Sequence, residues 1–115
     1  MSQKIPLLTL TAIATAALAA ERFITAAGAY PAAGANAFGV TNTNAAIGDR
    51  VAVDVIGTTV VTAGAAITAG AYLQVGTTGK AITRTTGVTV AQALQAASAD
   101  GDRIEVLLIS NGATG

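Results

Sequence analysis

From position 38 to position 109 the chain is a string of short β-forming segments set apart by glycine, asparagine and aspartate, a pattern that leaves room for little except strands and turns. A strand over 38–41 leads through Asn42 and Asn44 to a turn at Gly48-Asp49. The next, over 50–56, alternates cleanly: Val51, Val53 and Val55 point one way, and Arg50, Ala52 and Asp54 the other. Gly57 then turns the chain into a strand over 58–62. Strands over 72–75 and 80–84 flank Gly76-Thr77-Thr78-Gly79 as a hairpin. The strongest hairpin signal joins 90–97 to 103–109 around Ser98-Ala99-Asp100-Gly101-Asp102, because Asp-Gly accepts the positive φ of a tight turn. Helix formers from Ala91 to Gln95 offer a rival for 90–97. The strand is preferred because 103–109 needs a partner.

The N-terminal part reads differently. Leu8, Leu10 and Ala12 alternate with Thr9 and Thr11, so 5–12 is extended. The Ala-rich residues 13–20 suit a helix of two turns. A strand over 22–26 follows, then a loop over 27–37 broken by Tyr30-Pro31 and Gly34. These assignments define an all-β fold, a small barrel or sandwich over 21–115. An extended N-terminal arm, 1–20, and at most one short helix complete it.

A folded chain of this mass exposes roughly 5,700 Å² against roughly 16,000 Å² when extended, so a core forms, but a lean one. Alanine dominates the apolar residues, and Phe23, Tyr30, Phe38 and Tyr72 are the only aromatics. Since large side chains supply most burial energy, such a domain is expected to gain stability by oligomerising or docking on something larger. The apolar arm fits that need: its alternation suits a strand added to another sheet's edge, the alternative being that it is the first strand of its own domain. Leu7, Leu8 and Leu10 are the candidate contacts with a partner.

The chemistry available is narrow. With no His and no Cys there is no Ser-His or Cys-His nucleophile, no imidazole or thiolate metal site and no disulfide. Glu21, Asp49 and Asp54 lie near arginines and read as surface charges. Gly76-Thr77-Thr78-Gly79-Lys80 resembles the end of a phosphate-binding loop, but Gln74 and Ala81 stand where its remaining Gly and hydroxyl should be. Asp100-Gly101-Asp102 lacks the later ligands of a calcium loop. Tyr72 and Phe38 are core residues by default, with interface anchoring as the alternative. Gly64 and Gly70 before the strand at 72–75, like Gly48 before the valine strand, mark bends that lead into alternating segments. No cofactor is implied. Six basic residues, scattered and matched by six acidic ones, give no patch for nucleic acid.

Lys4, the apolar run 5–18 and Ala17-Leu18-Ala19 also resemble a signal peptide, which would make the chain a secreted or surface-exposed adhesive β protein. Pro6 and the threonines at 9, 11 and 15 argue against that, and Glu21-Arg22 closes the run too early for a membrane span. A second alternative is an enzyme using two carboxylates in a deep cleft, drawn from Glu21, Asp49, Asp54, Asp100, Asp102 and Glu105.

The ordered pieces together resemble the capsid cement, or head decoration, proteins of tailed bacteriophages. They are Pro6-Leu7-Leu8-Thr9-Leu10, Phe38-Gly39-Val40-Thr41, Ile47-Gly48-Asp49-Arg50-Val51-Ala52-Val53 and Ala66-Ile67-Thr68-Ala69-Gly70-Ala71-Tyr72-Leu73, then Ala91-Gln92-Ala93-Leu94-Gln95-Ala96-Ala97 and Gly101-Asp102-Arg103-Ile104-Glu105-Val106-Leu107-Leu108. Residues 12–20 do not align with that pattern. The resemblance implies a compact β domain on the outer face of the capsid in the virion. There it would be a homotrimer at local three-fold positions, gripping the major capsid protein, with no catalytic residue, cofactor, nucleic acid or membrane involved.

Overall fold

The computed structural model describes residues 6–109, with side chains from Leu8 onward. Eight strands form one antiparallel system: β1 (Pro6–Ile13), β2 (Phe23–Ile24), β3 (Gly39–Thr41), β4 (Arg50–Thr62), β5 (Tyr72–Val75), β6 (Ala81–Thr83), β7 (Ala91–Ala93) and β8 (Arg103–Leu108). The sheet runs β2-β3-β4-β8-β7-β5-β6, and β1 pairs with β4 outside that path. The all-β expectation holds, and the barrel is nearly closed. After β4, Ala63 bridges Ala81 at the start of β6, and the Gly64 N–H donates to the Ala81 carbonyl at 2.7 Å.

β4 organises the whole. Its first half pairs with β1 and β3, and its second half, from Thr58, pairs with β8. Gly57 was expected to separate two strands. It is instead a corner inside one long strand, with φ at 104°, where the chain passes from one part of the sheet to the other. Glycine has no Cβ to oppose that angle.

Each half closes over its own core. Phe23, Val61, Leu73, Val75, Ile104 and Val106 fill the barrel. Leu18, Ile24, Val51 and Val53 fill the smaller space under β1, with Tyr30, Phe38 and Val55 packed against them. Phe23 and Ile24 are neighbours in β2, and strand alternation sends one into each core. Val51, Val53 and Val55 point inward as the sequence pattern requires.

The helix expected over 13–20 does not form. Leu18 pairs with Ala45 instead, the Ala19 N–H donates to the Tyr30 hydroxyl, and the Ala20 N–H donates to Asn44 Oδ1, both at 2.7 Å. A helix of eight residues carries an unfavourable nucleus, and partners elsewhere in the fold satisfy the same backbone groups. The segment expected as an arm lies, from Pro6 to Ile13, along β4 of its own chain.

The hairpin expected around Asp100-Gly101 is present: Ala91, Gln92 and Ala93 pair with Leu108, Leu107 and Val106, and Gly101 has φ of 91°. Residues 90–97 are therefore not helical, although the strand is shorter than the sequence suggested. The hairpin of β5 and β6 also forms, closed by a 3-10 turn over Thr77–Gly79.

Candidate docking surface

With so few large apolar residues, their placement outside the core is informative. Leu8 and Leu10 lie on β1, 41% and 39% exposed. β1 has β4 on one side, and no described residue pairs with its other side. Leu7 lies in the same strand, and its side chain falls outside the described residues. The edge strand thus carries all three sequence-predicted contact residues. Ile13 and Ile47 are also exposed, brought near each other where the Gly48 N–H donates to the Ala14 carbonyl at 2.7 Å.

A second apolar surface crosses the barrel. Gln92 stands opposite Tyr72 on one side and Leu107 on the other, so these three lie in one cross-strand row. Tyr72 is 54% exposed and is not a core residue. In contrast, Phe38 packs against the smaller core.

The third feature is an open groove of 470 Å³ where β3 and β8 part company along β4, lined by Phe23, Phe38, Val55, Ile56, Val90 and Leu108 among others. Its lining contains no charged residue. Sequence reasoning missed it because it arises from strands diverging, which no local pattern reports; the exposed Ile56 beside the corner glycine is the nearest signal.

The carboxylates are dispersed. Glu21 pairs with Arg103 at 2.7 Å and Asp100 with Lys80 at 3.0 Å, both at the end of the barrel where β8 begins. Asp49 Oδ2 accepts the Ala46 N–H at 3.0 Å within its turn. Asp102 Oδ2 accepts the Ser98 N–H and hydroxyl, each at 2.8 Å, and the Ala99 N–H at 3.2 Å, which holds its carboxyl below the usual carboxylate range. The structure overturns the reading of Asp54 as a surface charge. It is fully buried, accepting hydrogen bonds from Thr9 at 2.9 Å, Asn42 at 3.1 Å and Thr59 at 2.7 Å. Burying a carboxylate is tolerable where such donors replace water. None of the six carboxylates lines the groove, and no group of three or more potential metal ligands forms among the described residues. Among the described residues, no helix is long and apolar enough to cross a membrane.

The loop over 76–79, which looks like part of a phosphate site in sequence, is closed by its own protein. Arg22 donates to the Thr78 carbonyl at 3.1 Å and hydroxyl at 3.3 Å, and a Cβ on Gly79 would collide with the Phe23 carbonyl and the Tyr30 ring.

Fold and surface together define a small β domain whose distinctive surfaces are apolar edges and faces rather than a polar cleft. Residues 1–108 match the phage cement protein family, and the chain belongs to that family. It is a structural protein of the phage head, and its place is in the virion at the capsid. Among solved structures, the N base of head fiber gp8.5 from bacteriophage phi29 shares the fold with a TM-score of 0.75 at 20% identity. That match covers 89% of this chain and 93% of the other. A search of curated protein sequences gave no significant match.

Proposed function

We propose that the protein binds the outer surface of an assembled capsid, contacts the major capsid protein and stabilises the head, without catalysis and without nucleic acid or membrane as a partner. The observation that carries this reading is the β1 edge: a strand whose outer side no described residue pairs, bearing Leu8 and Leu10 about two-fifths exposed on a domain poor in large side chains. Open strand edges are hazardous in a free protein, and a cement protein has a partner to cover them. The family assignment agrees with it. Homotrimer formation is part of the proposal, and Tyr72 and Leu107 offer the subunits a second apolar surface.

The test is reconstitution. Added to heads that lack it, the protein should bind saturably and raise their resistance to heat and osmotic shock. Preferential binding to the intact shell over the disrupted one requires that stabilisation. Saturable binding without added resistance would leave decoration but remove cementing, and absence of binding would remove both.

A further inference from the structure

The sequence holds one Asp-Gly pair, Asp100-Gly101, in the turn between β7 and β8. Both residues are exposed, the Asp100 side chain by 62%, and nothing stands within 4 Å of where a Cβ on Gly101 would be. Without a side chain on the following residue, nothing shields an aspartate carboxyl from the next backbone nitrogen. Such a pair closes a ring on itself. The Gly101 nitrogen bonds to Cγ of Asp100, its hydrogen and the carboxyl hydroxyl leave as water, and a five-membered succinimide remains. Water then opens the ring. Attack at Cγ restores aspartate, whereas attack at the main-chain carbonyl of Asp100 leaves isoaspartate, its backbone rerouted through Cβ and Cγ. The water released in the first step is balanced by the water taken up in the second, and nothing is oxidised or reduced.

In the folded chain the reacting groups are engaged elsewhere. The hydrogen that must leave the Gly101 nitrogen is donated to the carbonyl of Ala63, a fully buried residue, at 2.8 Å. The Ala63 N–H donates in return to the Asp102 carbonyl at 2.7 Å, so the residue that follows β4 grips the turn through two adjacent positions. Asp100 Oδ1 accepts from Lys80 Nζ at 3.0 Å. The Asp102 carboxylate fixes the near side of the turn through the Ser98 and Ala99 N–H groups. Ring closure requires the Gly101 nitrogen to leave Ala63 and turn onto Cγ, and these contacts oppose that movement.

We infer that Asp100-Gly101 is a site of spontaneous isoaspartate formation, which the fold holds shut through the Ala63 contact and which opens when the hairpin leaves the end of β4. Local opening of this kind governs reactions at otherwise protected backbone groups. The product carries one extra backbone atom in the turn, so a chain modified while open cannot restore the native contact at Ala63. This inference is independent of the proposed function.

The experiment holds the full chain at neutral pH and one temperature, either folded in buffer or unfolded in urea. Isoaspartate is read by enzymatic carboxyl methylation, which ordinary aspartate escapes. Trypsin cuts after Arg84 and Arg103, so the pair is recovered in peptide 85–103, apart from Asn111-Gly112. Methylation of that peptide should accumulate at least tenfold faster from the unfolded chain. Asp100→Glu, measured in urea where its folding is not in question, should abolish the signal, because glutamate would have to close a larger ring. In the folded protein, the Gly101 amide should exchange its hydrogen with solvent at least tenfold more slowly than an unstructured glycine amide. Equal methylation of folded and unfolded protein, or exchange of Gly101 at the unstructured rate, would refute protection by Ala63. No methylation from the unfolded chain, or methylation that survives Asp100→Glu, would refute the site.

Discussion

Thr59 donates its hydroxyl to the carboxylate of Asp54 at 2.7 Å, both side chains wholly buried. In a straight strand, residues five apart lie ~17 Å from each other and face opposite ways. Their contact is therefore a direct reading of how sharply β4 folds at its Gly57 corner. Thr9 of β1 and Asn42 beyond β3 donate to the other carboxylate oxygen, so one side chain ties together the N-terminal strand, the β3 end and both halves of β4.

Removing that carboxylate should be among the most damaging single changes available. Asp54→Ala leaves three donors aimed at an empty space, and a buried donor without a partner costs ~1–3 kcal/mol. Asp54→Ala should lose at least about 3 kcal/mol in urea denaturation and melt at least ~10 °C lower. A loss below about 1 kcal/mol would show that the network is not what holds the corner.

Glycine substitutions separate backbone strain from crowding. Gly101 has φ of 91° and open space where a Cβ would stand, whereas Gly28, at 84°, would drive its Cβ into the Ile13 carbonyl. Gly101→Ala should cost ~1–2 kcal/mol, the penalty of the left-handed region alone, and Gly101→Asn less. Gly28→Ala should cost at least twice as much as Gly101→Ala. Equal melting temperatures for the two alanine variants would contradict the close approach of 13–14 to the 28 turn.

Asp102 makes one part of the stability depend on pH. Hydrogen bonds from the Ser98 backbone, the Ser98 hydroxyl and the Ala99 backbone lower its pKa from 3.8. A group whose folded pKa is depressed stabilises the fold above its unfolded pKa, and that contribution disappears as the pH falls through the folded value. Asp102→Asn should therefore melt below the unsubstituted protein at neutral pH. The gap should narrow once the pH drops beneath 3.8. A gap constant across that range would assign the effect to shape rather than to charge.

The strands were legible in the sequence wherever alternation was strong and turn chemistry bounded it. Val51, Val53 and Val55 fixed the inner face of β4, and Asp100-Gly101 marked the β7–β8 connection. What local patterns missed is long-range. The Ala-rich 13–20 stretch has helix propensity, but Ala45, Tyr30 and Asn44 reach it from distant parts of the chain and satisfy it without a helix. Asp54 sits at a position that alternation assigns to solvent, and it is buried because the corner at Gly57 swings Thr59 over it. Tyr72 read as core by aromatic scarcity, yet it lies on the outer row with Gln92. Of the docking surface, the β1 leucines were visible as an alternating apolar segment. The groove was not, since it exists only where β3 and β8 separate.

The β1 leucines now permit a sharper test than deletion of the segment. Removing residues 1–10 would take away Thr9, a donor to Asp54, and much of the strand paired with β4. Unfolding would then mask any effect on binding. Point changes at the edge avoid this. Leu8 and Leu10 are already about two-fifths exposed, and the ladder to β4 is made by backbone atoms that a substitution leaves in place. Replacing both with Thr keeps β propensity and removes apolar contact area. The double variant should keep its circular dichroism and lose no more than ~2 kcal/mol of stability, while binding to heads, or association of subunits, weakens at least tenfold, ~1.4 kcal/mol. Sedimentation of the free protein distinguishes the two partners: a change in its oligomeric state assigns the edge to sister subunits, and an unchanged state with weaker head binding assigns it to the shell. Normal association and normal head binding together would show that the β1 edge contacts neither.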